Sequence, residues 1–197
     1  MTYELLTALA AFAFVTSITP GPNNLMLMAS GANFGFRRTI PHMLGVGLGF
    51  TLMIVLVGLG LIQFFELYPA SYTALKVFSV TYLVYLAWKI ATSTPPDDRQ
   101  KPGNPLTFVQ AAFFQWVNPK AWAMALSAIS IYAPSQNLGA IVLVAAVFGA
   151  INLPTVSSWT LLGQQMRRVL TKPAHLRVFN IAMAGLLIFS LYPVLFP

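Results

Sequence analysis

The chain has 197 residues, 57% of them hydrophobic and only 8% charged, with a mean hydropathy of +0.74. Soluble domains carry charge on about a quarter of their residues, so the composition excludes that class and points to an integral membrane protein in a lipid bilayer. The net charge of +7 does not mark a nucleic-acid binder, because the basic residues fall in short loops between apolar spans, and the absence of cysteine excludes disulfides and thiolate metal sites.

The N-terminus has no basic stretch, carries Glu4 and runs on past any small-residue cleavage site, so the first helix is expected to be retained. An uncharged run then extends from Leu5 to Phe36, too long for one straight span of a ~30 Å hydrocarbon layer at ~1.5 Å per residue. Thr19-Pro20-Gly21-Pro22-Asn23-Asn24 interrupts it. Two prolines and a glycine strip donors from the backbone and end a helix near Ile18. Pro22 suits the first turn of a new one, and the asparagines can cap or line the freed groups. The first span is therefore Leu5 to Phe34, broken, ending before Arg37 and Arg38. Met43 to Ile62 is the second, with Gly45, Gly47, Gly49, Gly58 and Gly60 allowing close helix contact. His42 before it reads as interfacial. Tyr68 to Trp88 is the third and contains Lys76, expected to snorkel outward.

The polar, proline-rich stretch 94–105 cannot enter lipid as a helix and reads as a linker on the cytoplasmic side. Leu106 to Tyr132 is the fourth span, broken at Asn118-Pro119-Lys120, and a short turn follows through Pro134-Ser135-Gln136-Asn137. Leu138 to Gly163 is the fifth span, with a milder kink at Asn152 and Pro154, and Val178 to Phe196 is the sixth. The expected architecture is all-α: two three-helix repeats, 1–93 and 106–197, each opening with a broken helix. An odd helix count per repeat inverts one against the other within a single transmembrane domain. Arg37, Arg38, Lys89, Arg99, Lys101, Arg167, Arg168, Lys172 and Arg177 all follow odd-numbered spans, which places those loops in the cytoplasm and both termini outside.

Non-helical backbone at membrane depth persists only where protein or a wet cavity solvates it, so two breaks in matching places point to one polar site. A restarted helix offers unpaired N–H groups to a carboxylate. Free carbonyls near Ser17, Ile18 and Thr19, and near Gln115, Trp116 and Val117, can hold an ammonium or a coupling cation. An α-amino acid carries both groups. Lys120 stands at the second position of a restarted helix, opposed by the dipole by ~0.3 to 1 kcal/mol, and lysine at membrane depth costs about 2.5 to 3.5 kcal/mol. Two explanations stay open: Lys120 meets the substrate carboxylate or exchanges a proton, or it is a lysine held by kink carbonyls. The four acids are Glu4 and Glu66 near span ends and Asp97 and Asp98 in the linker, so a cationic side chain finds no counter-charge and small neutral amino acids are favoured. Asn152, Gln115, Trp116 and Trp159 can line a cavity or make interhelical contacts. The candidate substrate-binding residues are thus Thr19, Pro20, Gly21, Pro22, Asn23, Asn24, Gln115, Asn118, Pro119, Lys120 and Asn152.

On these residues the sequence resembles the LysE-type amino-acid exporter superfamily. The likeness rests on Thr19-Pro20-Gly21-Pro22-Asn23-Asn24, Gly35-Phe36-Arg37-Arg38, Leu86-Ala87-Trp88-Lys89 and Asn118-Pro119-Lys120-Ala121-Trp122, and Tyr85 to Ser93 looks most like its cysteine/O-acetylserine branch. The resemblance implies an inner-membrane exporter that releases amino acids, driven by the proton gradient. The leading reading is a bacterial secondary transporter of neutral amino acids that works by alternating access, with no cofactor or metal expected. Where many relatives carry an aspartate early in the second span, Phe50 and Thr51 stand here, so coupling through that carboxylate does not transfer. No Gly-x-Ser-x-Gly elbow, His-Glu-x-x-His pair or intramembrane aspartate dyad supports an enzyme. The competing reading is a structural or scaffolding membrane protein, and a homo-oligomer is compatible with either.

Overall fold

The computed structural model describes residues 2–61, 63, 67–93, 103–135, 137–170 and 172–195. Ile62, Glu66, Gln136, Phe196 and the linker residues 94–102, with Asp97, Asp98, Arg99 and Lys101, lie outside them. The described residues form helices and no strand. Their order is α1 (Tyr3–Ile18), α2 (Pro22–Phe34), α3 (Phe36–Leu56) running into a π-helical stretch Val57–Leu61, α4 (Pro69–Ala91), α5 (Phe108–Val117), α6 (Pro119–Tyr132), α7 (Leu138–Val169), α8 (Pro173–Phe189) and α9 (Tyr192–Leu195).

Helix boundaries follow the local chemistry. Thr2 caps α1 by accepting from the Leu5 N–H, and Glu4 in the first turn complements the dipole. Helix α1 stops at Ile18, and α2 restarts with Pro22 in its first turn at a bend of 55°. Gly35, at φ +79, ends α2 and allows α3 to begin at once. Thr107 and Gln110 form a reciprocal capping box that starts α5. Asn118 ends that helix and caps the next by accepting from the Lys120 N–H at 3.1 Å.

Three expected boundaries shift, the sixth span among them: α8 begins at Pro173 and not Val178, takes Arg177 inside it and stops at Phe189. Helix α3 begins at Phe36 and not Met43, with Pro41 inside it, and α7 continues to Val169, which puts Arg167 and Arg168 in its last turn beside the carbonyl end that favours cations. The long α3 segment, α4 and α7 are each long and apolar enough to cross a membrane, and the bent pair α1 and α2 makes a fourth. Large apolar side chains such as Phe78, Trp88, Phe113 and Leu161 face outward, as lipid contact requires.

Glycines bring backbones together at the centre. A Cβ on Gly31 would strike the Thr160 carbonyl oxygen and one on Gly163 the Met28 carbonyl oxygen, so α2 and α7 touch main chain to main chain. Gly45 and Gly49 bring α3 against Phe108, Ala111 and Ala112 of α5 in the same way. Gly60 does not serve helix contact as expected: it sits at φ +103, where the chain turns out of the π-helical stretch. Helices α4 and α8 pack on each other at the side.

Gly163→Ala is therefore expected to cost about 1 to 3 kcal/mol through overpacking against α2. Gly185→Ala, which meets nothing within 4 Å, is expected to be near neutral. Unfolding midpoints of the detergent-purified proteins check the contrast.

Candidate functional site

The two breaks lie against each other. Asn23 Nδ2 donates to Gln115 Oε1 at 2.8 Å, and Gln115 Nε2 returns a bond to Asn23 Oδ1 at 3.3 Å, across 92 residues of sequence. Lys120 Nζ donates to the Thr19 carbonyl at 2.7 Å, to Thr19 Oγ1 at 2.9 Å and to the Pro20 carbonyl at 3.4 Å. Between the breaks is a cavity of about 330 Å³ including its mouth, lined by Thr16, Ser17, Gly21, Asn23, Asn24, Asn118, Lys120 and Asn152, with Phe50, Ala121, Met124 and Val156 as its apolar wall.

Of the residues singled out from the sequence, Gly21, Asn23, Asn24, Asn118, Lys120 and Asn152 line this cavity together. Gln115 is fully buried behind Asn23, also donating to the Ala111 carbonyl at 2.9 Å. Thr19 receives Lys120. Pro20, Pro22 and Pro119 line a separate, wider cavity on the far side of the lysine.

Four of the six carbonyls expected to stand free are taken by side chains, and that of Gln115 accepts from the Asn118 N–H at 3.3 Å. Asn24 Nδ2 donates to the Ser17 carbonyl at 2.7 Å and the Thr19 carbonyl at 2.9 Å, and Trp159 Nε1 donates to the Ile18 carbonyl at 3.1 Å. At the second break Trp122 Nε1 donates to the Trp116 carbonyl at 2.8 Å. An unpaired carbonyl in apolar surroundings costs about 1 to 3 kcal/mol, and nearby side chains remove that cost when no solute does. Lys120 is in the same position: its ammonium is held by carbonyls, those of the opposite break. Thr16 joins the site without having been singled out, Ser17 contributes its side chain as well as the carbonyl considered from the sequence, and Trp122 joins through its indole. The only signal for Thr16 was position, a polar side chain within a turn of a break.

Asn152 Nδ2 donates to Ser17 Oγ at 3.3 Å, while its buried Oδ1 has no partner among the described residues. His42 also departs from expectation. With α3 starting at Phe36, it is drawn between helices, 2% exposed, and neither ring nitrogen has a partner among the described residues. Glu4 is the one acid among the described residues, and no group of them could hold a metal.

Apolar helices interrupted twice, with both interruptions closing on one polar cavity, are the construction of a membrane translocator. The chain belongs to the LysE type translocator family, which it matches over residues 14–191. It is 31% identical over 191 residues to a cysteine/O-acetylserine efflux protein of Escherichia coli O139:H28, covering 96% of each chain. It is 30% identical, with the same coverage, to proteins of that name from Escherichia coli K12 and Shigella sonnei. No solved structure matches the chain. The family is one of translocators and not of enzymes, and the chain is a multi-pass membrane protein.

If Asn23 and Gln115 couple the breaks, a double-mutant cycle with Asn23→Ala and Gln115→Ala should return an interaction energy of about 0.5 to 1.5 kcal/mol in denaturant unfolding. Additive single effects would show that the breaks do not support each other.

Proposed function

We propose that this protein exports small neutral amino acids across the bacterial inner membrane by alternating access, with the substrate held between the two broken helices and the proton gradient as the driving force. The observation that carries the reading is the apposition of Thr19 to Asn24 with Gln115 to Lys120 around a polar cavity inside an otherwise apolar bundle. The substrate carboxylate is assigned to the N-terminal ends of α2 and α6, where the helix dipoles favour an anion, the Lys120 N–H of α6 being held by Asn118 Oδ1. Its ammonium is assigned to the carbonyl ends of α1 and α5 and to Asn152, whose buried acceptor has no donor among the described residues. The relatives' cysteine and O-acetylserine fit this scheme: both are small, and neither side chain needs a counter-charge.

The proposed architecture is six spans in two inverted repeats, 1–93 and 106–197, joined by the 94–105 linker. Reciprocal packing supports it. The broken helix of the first half packs on the fifth span as that of the second half packs on the second span, and the third and sixth spans pair. Arg38 donates to the Gly103 carbonyl and to Asn104 Oδ1, and Gln164 accepts from the Phe36 N–H, so the segments after spans one, three and five share one end of the bundle. That arrangement, with its basic residues, supports a cytoplasmic assignment for this end and external termini.

Efflux of labelled cysteine, O-acetylserine and serine from cells overproducing the protein tests the function. Asn24→Ala and Asn118→Ala are expected to lower export at least tenfold at unchanged membrane abundance, as loss of one well-placed polar contact of about 1.4 kcal/mol or more implies. Normal export by both variants would move the site elsewhere.

A further inference from the structure

Lys120 and Gly21 belong to the walls of two cavities at once. On one side is the polar cavity of Asn24, Asn118 and Asn152. On the other lies a wider, largely apolar one of about 1650 Å³ including its mouth, between α2, α6, α7 and α8, with Met28, Trp159, Met183 and Phe189 on its walls. The lysine stem crosses Gly21 so closely that a Cβ there would lie 2.6 Å from its Cδ and 3.2 Å from its Nζ. The ammonium, with three protons to donate, meets three oxygens, the Thr19 carbonyl, the Thr19 hydroxyl and the Pro20 carbonyl. All three are neutral. A carboxylate is a stronger partner for an ammonium than a carbonyl is, and Glu4, in the first turn of α1, is the one carboxylate side chain among the described residues.

We propose that Lys120 is a tethered occupant of an ammonium cradle and the gate between the two cavities, and that a zwitterionic substrate opens it by exchange. The substrate ammonium takes the Thr19 and Pro20 oxygens while Lys120 Nζ moves to the substrate carboxylate. No covalent bond changes, one ammonium leaves the cradle as another enters it, and neither the carbonyls nor the lysine is left unpaired in apolar surroundings. A solute with only one of the two groups completes half of the exchange. The gate therefore passes α-amino acids and holds against N-acylated amino acids and amino-acid esters. This inference rests on the export reading for its substrate, though not for its geometry.

The chain has no cysteine, so Ala121→Cys on the wall of the polar cavity gives a single thiol whose labelling by N-ethylmaleimide reports access in the purified protein. Labelling should be slow alone and faster with L-serine or O-acetyl-L-serine. N-acetyl-L-serine and L-serine methyl ester should leave it unchanged. Adding Gly21→Ala places a methyl group where the lysine stem lies, while the extended backbone at φ −177 accepts alanine. It should raise the rate without any solute about tenfold or more, the factor equivalent to losing one hydrogen bond to a charged group. Labelling of the Gly21→Ala protein at the parent rate, or equal acceleration by the blocked solutes, overturns the gate. If Gly21→Ala opens the cavity but proteoliposomes move no amino acid, the gate stands and the export reading falls. If amino acids are exported and Gly21→Ala changes nothing, the reverse holds.

Discussion

A peptide carbonyl released from a helix inside an apolar bundle must find a donor, and the organisation of this protein follows from how that requirement is met. At the first break the carbonyls of Ser17, Ile18 and Thr19 are held by Asn24, Trp159 and Lys120; at the second, that of Trp116 is held by Trp122. Two of these donors come from distant parts of the chain, α6 and α7. The breaks are thus not independent kinks. Lys120 of one supports the other, and the Asn23–Gln115 pair joins them a second time.

Such an arrangement needs helices that approach closely enough for short side chains to bridge them. Gly31 and Gly163 between α2 and α7, and Gly45 and Gly49 between α3 and α5, provide that approach where lipid offers little hydrophobic drive for helix association. The large side chains that would separate the backbones face outward instead. The polar cavity takes its walls from α1, α2, α3, α6 and α7, with Lys120 and the asparagines lining its interior.

The electrostatics are one-sided. Lys120 meets only neutral oxygens, and the polar cavity holds no carboxylate. An ammonium in that setting is held, but is under-compensated compared with one in an ion pair. His42, buried among helices without a partner among the described residues, is a second polar group whose surroundings leave its hydrogen bonding unmet.

Much of this was legible in the residues themselves. Composition required a membrane protein, and the proline and asparagine clusters located both breaks, because proline removes a donor wherever it stands and asparagine is short enough to serve its own backbone. Helix ends beyond the breaks were less legible: Arg37 and Arg38 suggested a later start for α3, yet the helix includes them and Pro41 as well. What Lys120 binds could not be read locally. From the sequence, the lysine and the carbonyls were each seen to need a partner, but only the fold brings residues 19 and 120 within 2.7 Å, because the pairing depends on how α2 lies on α7 and α5 on α3. The same holds for Trp159 and His42, whose roles depend on the helix face they occupy once packed, a property of neighbours distant in sequence and not of the residues beside them.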